Sequence, residues 1–275
     1  MQNFGQILFV MWRETVEAML VVGVLHAWLS HSAFSRRGLP YLWGGVAAGL
    51  LGACLLGLGI QWTNDVLSDE GHDLFQAALL LIAAVLIVNM VLWMRRNGRS
   101  LKHDMEMSLS ASAQTQNWWG VFTLAAIAVT REGSEAVVFI SSLAMGSSGF
   151  ASISFWFALV LGFVLAGITF YLLQLGGKVF SWRLFFRVTE ILLLLLGCAL
   201  FIGGTEKLIG LQILPALKSQ VWDTSGILDD SSVIGGLVAS FTGYRAQPAL
   251  MSVLVFIAYW VVTQWLLRVK GRKPS

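Results

Sequence analysis

The sequence predicts an all-α fold: a polytopic membrane protein with seven transmembrane helices, arranged as two inverted three-helix repeats plus a seventh helix. Three observations predict it: a strongly apolar composition, apolar stretches of spanning length, and one charged motif that occurs twice. Hydrophobic residues make up 57% of the 275 residues, charged residues only 12%, and the mean hydropathy is +0.75. Soluble domains carry about 25% charged residues, and no soluble core of this length hides so much apolar surface. No nucleic-acid partner is expected; the expected surroundings are a lipid bilayer.

Stretches of about 20 apolar residues, enough to span a bilayer, lie near 6–30, 40–62, 74–94, 118–144, 153–175, 187–210 and 248–268. In the first, Arg13 and two glutamates interrupt the apolar run and no basic segment precedes it, which argues against a signal peptide. The second and fifth are rich in small residues (Gly45, Gly49 and Gly52; Gly162, Ala166 and Gly167), which let helix backbones approach closely. The third follows an acidic string, Asp69-Glu70-Gly71-His72-Asp73. The sixth carries Glu190 and Glu206-Lys207 near its two ends, where charged groups reach water. Cys54 and Cys198 sit in mid-span without CxxC spacing and are expected to be packing residues.

Between the spans, thirteen of the eighteen basic residues fall on one side, in the loops after the first, third and fifth stretches and in the tail. The opposite loops hold Lys218 and Arg245 among seven aspartates and glutamates. The positive-inside rule then puts the N-terminus outside and the C-terminus in the cytoplasm. The whole chain, 1–275, is one transmembrane domain. Within it, 1–94 is the first three-helix repeat, 95–117 a cytoplasmic connector expected to form a surface helix, and 118–210 the second repeat. An external loop, 211–247, and the seventh helix with its cytoplasmic tail, 248–275, complete it.

The repeat is read from Arg13-Glu14-Thr15-Val16-Glu17 and Arg131-Glu132-Gly133-Ser134-Glu135, which share an Arg-Glu-x-x-Glu pattern and stand 118 residues apart. Each opens a block of three spans. Three is odd, so the second block runs through the membrane in the opposite sense to the first, an arrangement that puts a transport site at the repeat interface. Both motifs lie about 8 to 12 residues from the outer ends of their helices, so at about 1.5 Å per residue they can meet in one layer.

An ionisable group at a membrane helix centre costs roughly 2.5 to 3.5 kcal/mol, so such groups usually face a wet path or a protein interior and have a function. Glutamates three residues apart share a helix face, and each arginine stands four before the second glutamate, in reach of an ion pair. Salt bridges alone leave Glu14 and Glu132 uncompensated, a costly arrangement unless an ion or proton joins them. Six acids within the spans stand against three bases, a formal charge of −3 that attracts cations. Carboxylates suit hard cations, and with no cluster of thiolates or thioethers in the pattern, manganese, ferrous or ferric iron, magnesium and calcium all remain open. His26 points away from the glutamates and is not expected to join them.

Two such motifs in the first and fourth of seven spans, with the acidic string before the third, resemble the high-affinity iron permease family, which includes fungal iron permeases and bacterial Efe-type permeases. The resemblance covers nearly the whole chain, including Gly243-Tyr244 and Pro248 before the last span. It implies a permease and not an enzyme, carrying an iron ion (Fe2+ or Fe3+) as cargo with no permanently bound cofactor. Glu14, Glu17, Glu132 and Glu135 would bind and pass the metal, Arg13 and Arg131 would orient them, and Asp69, Glu70 and Asp73 would form an outer access site. The family often has Gly after the first Arg-Glu, where this chain has Thr15; the second motif keeps Gly133. A partner that oxidises or delivers iron, a multicopper oxidase or a periplasmic Efe-type protein, is implied as well. An inside-negative potential is worth about 2.3 kcal/mol per charge per 100 mV, enough to favour inward movement of a 2+ or 3+ ion. The competing expectations are a permease for another divalent metal and a proton-coupled carrier whose glutamates bind protons. A membrane oxidoreductase is disfavoured, since facing haem histidines and a Glu-x-x-His di-iron pattern are both absent.

Overall fold

A computed structural model describes residues 3–31, 35–97, 118–145, 152–174 and 182–271. Among them are eight helices and no strand: α1 (Phe4–His31), α2 (Ser35–Val66), α3 (Asp69–Asn97), α4 (Trp119–Ala144), α5 (Ile153–Gln174), α6 (Trp182–Gly210), α7 (Val233–Thr242) and α8 (Leu250–Gly271). The connector expected over 95–117 falls outside the described residues from residue 98 onward, as do most of the basic side chains assigned to one face.

Five of the helices, α2, α3, α5, α6 and α8, are long and apolar enough to cross a membrane. The other two long ones, α1 and α4, carry the Arg-Glu-x-x-Glu motifs, each bringing three charges into an otherwise apolar helix. The chain is an integral membrane protein, and the regular structure of its described residues is all helix. Several helices outrun their apolar stretches, because helix continues wherever backbone hydrogen bonding continues and polar ends are welcome in water. α2 is the clearest case, with 32 residues and a length of about 48 Å against an apolar core of about 30 Å. The acidic string forms the first turn of α3, where carboxylates complement the helix dipole.

α1, α3, α4 and α6 make the interior. Val10, Ala83, Ile87, Phe139, Leu193 and Leu196 from these four helices belong to one buried cluster. A second cluster joins α1, α2 and α4 through Leu25, Leu29, Leu42 and Val121. α2, α5 and α8 turn large apolar side chains outward, among them Leu55, Phe163, Tyr171, Val261 and Trp265. Such a surface suits lipid, where outward apolar groups cost nothing.

Small residues act where two helix backbones come close. A side chain at Gly49 would meet Val129 Cβ at 2.7 Å and Ala126 O at 3.0 Å, so α2 rests directly on α4. A side chain at Gly162 would meet Leu8 O at 2.9 Å, bringing α5 equally close to α1. Gly52 has only ordinary contacts at 3.5 Å, and Gly167 faces open space.

The Gly-rich run within 211–247 forms α7, which packs against α6 and α1; Phe241 stacks edge-on against Phe9 at 6.0 Å. Ser232 caps its start by accepting from Gly235 N at 3.0 Å, and Gly243 ends it in the left-handed region at φ 74°. A side chain at Gly243 would also meet Ile202 Cδ1 at 2.6 Å, so glycine is demanded twice, by torsion and by space. Tyr244 then pins the loop, its hydroxyl 2.6 Å from Thr224 Oγ1 and donating to Leu228 O at 3.0 Å.

Candidate metal centre

The motif helices α1 and α4 pack against each other and bring their acids together. Glu14, Glu132 and Glu135 are buried, and one carboxylate oxygen from each lies within 4.8 Å of the other two. Donors at a shared metal sit about 2 Å from it, so oxygens this close need only a small movement to hold one ion. Glu17 is mostly buried as well, and ion-pairs through Oε1 with Arg13.

Arg13 is fully buried and serves both acids of its own motif. Its NH1 donates to Glu14 Oε1 at 2.7 Å and to Met90 Sδ at 2.8 Å, while NH2 ion-pairs with Glu17 and donates to Met94 Sδ at 3.2 Å. Arg131 is looser. Its Nε donates to Glu135 Oε1 at 3.2 Å and stands 3.9 Å from Glu132 Oε1. Its guanidinium carbon lies 4.1 Å over the ring of Trp93.

Two i,i+4 pairs appear as their spacing requires, but Glu14 is not left without a counter-charge, because Arg13 reaches it too. What remains free is one oxygen on each of three acids: Glu14 Oε2, Glu132 Oε2 and Glu135 Oε2 are buried with no hydrogen-bond partner. Buried carboxylate oxygens without donors are expensive. Their convergence from two helices suits a cation that supplies the missing charge.

Next to this layer is a cavity of about 700 Å³, lined by the starts of α1 and α3, the ends of α4 and α6, α7 and part of the loop. Gln6, Gln76 and Ser142 are buried polar residues on its wall, and Asp73, Glu206, Lys207, Asp230 and Arg245 supply charge. Lys207 Nζ donates to Asp73 Oδ1 at 2.9 Å. Arg245 grips Glu206 with Nε at 2.9 Å from Oε1 and NH2 at 2.8 Å from Oε2. Between cavity and glutamates the helices are closed by apolar groups. Val10 is one turn from Glu14, Phe139 one turn from Glu135, and both belong to the cluster that includes Leu80, Leu143 and Leu200 of the cavity wall.

Of the acidic string, Asp73 lines the cavity and Glu70 is exposed outside its lining. The Asp69 side chain is outside the described residues. Glu190 is engaged at the opposite end of α6 by an ion pair with Arg95 of α3. His26 is exposed, with its ring 6.2 Å from that of Trp43, and is not among the residues that converge with the carboxylates. Sequence reasoning did not find Gln6, Gln76, Met90, Trp93 or Met94. Glutamines inside apolar runs were one available signal, and two methionines four apart in a motif-free helix were another.

The sequence model of the family described as "Iron permease FTR1 family" matches residues 4–269. The chain belongs to that family. Its members are permeases, so the activity is transport and not catalysis. Ferrous iron permease EfeU of Escherichia coli O6:K15:H31 (strain 536 / UPEC) is 28% identical over 258 residues, which cover 92% of this chain and 91% of that protein. The protein of the same name from Shigella sonnei (strain Ss046) has the same identity and coverage, 28% over 258 residues. Ferrous iron permease EfeU of Yersinia pestis is 23% identical over 256 residues, covering 92% of this chain and 89% of its own. No solved structure matches the chain.

Proposed function

We propose that this iron permease imports iron ions across the cytoplasmic membrane through a site made by Glu14, Glu17, Glu132 and Glu135. The carrying observation is the meeting of three buried carboxylates from two motif helices within 4.8 Å, each with an unpartnered oxygen. Ferrous iron is the first cargo to test, since the EfeU relatives are named for it. Its charge and preference for oxygen donors fit a cluster of carboxylates.

In this reading seven helices span the bilayer, 1–94 and 118–210 are inverted repeats, and the N-terminus is outside. The packing supports the symmetry. α2 lies on α4 and α5 on α1, two contacts that exchange when the repeats are swapped, while α1 pairs with its counterpart α4 and α3 with its counterpart α6. The cavity is the outer vestibule, where Asp73 together with Asp69 and Glu70 of the acidic string gathers cations. Hydrated iron waits there until Val10 and Phe139 part, then exchanges water for carboxylate oxygens as the repeats rock. Arg13 and Arg131 aim the acids by ion pairing. A delivery or oxidising partner would dock at the vestibule mouth.

The test is uptake of radioactive iron by purified protein in sealed vesicles with an inside-negative potential. Ferrous iron is kept reduced with ascorbate, ferric iron is offered separately, and Glu17→Gln and Glu135→Gln are the comparisons. Uptake by wild type that falls at least tenfold in both variants, at equal protein in the membrane, is the expected outcome. Near-normal uptake in both variants sinks the carboxylate assignment. Flux that follows a pH gradient and ignores metal would mean the glutamates carry protons, and preference for another divalent ion would change the cargo and leave the site in place.

A further inference from the structure

One turn of α3, far from either motif in sequence, touches both motif arginines. Met90 and Met94 are four residues apart and so share a helix face, and their sulfurs lie 2.8 Å from Arg13 NH1 and 3.2 Å from Arg13 NH2. Trp93, between them, covers the guanidinium of Arg131 at 4.1 Å. We infer that Met90, Trp93 and Met94 are positioning residues of the carboxylate site, which hold the two arginines off the metal-facing oxygens and thereby set the affinity for the ion. The inference rests on the carboxylate reading above.

A guanidinium has five N–H groups in a fixed fork. On Arg13, NH1 serves Glu14 and Met90, and NH2 serves Glu17 and Met94, while Nε has no partner. Each terminal nitrogen therefore gives one proton to a carboxylate and one to a thioether. Thioether sulfur is a weak acceptor, but here it takes up a proton that a shift of the whole fork would otherwise bring to a second carboxylate oxygen. Glu14 Oε2 stays free as a result. Without the sulfurs, those N–H groups have only the acids to satisfy them, and the fork competes with the cargo for the same oxygens. The Trp93 ring does the corresponding work for Arg131 by drawing its cationic face away from Glu132, which stays 3.9 Å from Nε. Indole faces are the best of the aromatic partners for this.

Met→Leu conserves volume and is generally well tolerated in cores, so it removes the acceptor and keeps the packing. The double variant Met90→Leu/Met94→Leu should raise the half-saturation concentration for ferrous iron about tenfold, the loss expected for one charge-assisted hydrogen bond, with maximal rate and membrane level little changed. Trp93→Leu should raise it by about fivefold, whereas Trp93→Phe, which keeps a π face, should stay within about twofold of wild type. A second readout is independent of transport. In 15N-labelled protein, guanidinium signals of Arg13 should show distinct, slowly exchanging Nη groups that average in the double variant. Unchanged half-saturation in the double variant and in Trp93→Leu overturns the inference. So does an equal fall in membrane level and rate with half-saturation unmoved, which would make the three residues packing only. If the double variant does not insert, Met94→Leu alone, at a partly exposed position, carries both measurements. Normal uptake in both Glu17→Gln and Glu135→Gln would instead refute the carboxylate reading, and the guanidinium spectra would then judge the positioning by itself.

Discussion

The same five-residue pattern is embedded in two different surroundings. In α1, Arg13 is 0% exposed, contacts both acids of its motif and has sulfur behind it. In α4, Arg131 is 32% exposed, holds one acid at 3.2 Å and keeps the other at 3.9 Å. The first motif is a locked unit whose charge balance belongs to the fold. The second is the more open half, with two glutamates that each keep a free oxygen and a counter-ion that is more exposed and less closely paired. A transport site needs both qualities: a fixed wall that defines position and a looser wall that lets the ion in and out. The duplicated motif is alike in both helices, and its burial is not.

The largest test of this contrast is to remove each arginine. Arg13→Leu leaves Glu14 and Glu17 buried without their counter-charge, a change that costs about 3 to 5 kcal/mol. The protein should largely vanish from the membrane, measured by immunoblot and by thermal unfolding in detergent. Arg131→Leu removes a guanidinium that is itself 32% exposed and holds Glu135 at the longer distance of 3.2 Å, so the loss should be smaller than for Arg13; the protein should remain inserted and lose affinity for iron. Equal loss of protein in both variants would erase the distinction between a locked and an open motif.

Next in size is an exchange at one of the two positions where the motifs differ, Thr15 against Gly133. Gly133 lies against α2, where an added Cβ would meet Ala53 Cβ at 2.7 Å. Gly133→Thr, which copies the first motif into the second, overfills that contact and should cost about 1 to 3 kcal/mol, prying α4 from α2 and lowering the unfolding temperature in detergent. Wild-type stability in that variant would mean the open motif has slack on the α2 side as well.

Much of this was legible from the chain. The motif spacing put each pair of glutamates on one helix face, and counting residues from the helix ends put the two motifs at one depth, where Glu14, Glu132 and Glu135 now lie close. The contact of Arg13 with the adjacent Glu14 was not legible, because neighbouring positions on a helix do not normally face each other; here a long, fully buried guanidinium fork reaches both the acid and the sulfurs of α3. Periodicity could not place Met90 and Trp93 against the arginines, since it says which face is apolar and nothing about what lies across from it. The fate of the Gly-rich run before Gly243 depended on the surface offered by α1 and α6, which no local pattern encodes. The length of α2 was missed for a simpler reason: hydropathy marks the lipid-facing part of a helix, and the helix itself continues into water.

The smallest expected effect is the reverse exchange, Thr15→Gly, and it sharpens the comparison because it should do almost nothing. Glycine within a helix costs about 0.5 to 1 kcal/mol against alanine, and threonine is itself a poor helix former, so the net change is about 0.5 kcal/mol. Thr15 is partly exposed, Arg13 keeps its four partners whatever stands there, and Val16 beside it remains buried against Ala166 of α5. Half-saturation for iron should therefore stay within about twofold of wild type, with the unfolding temperature barely lowered. A clear gain or loss of affinity would show that α1 also depends on close backbone approach at its motif, and the division between a locked wall and a yielding one would have to be redrawn around the residue after Arg-Glu instead of around the arginines.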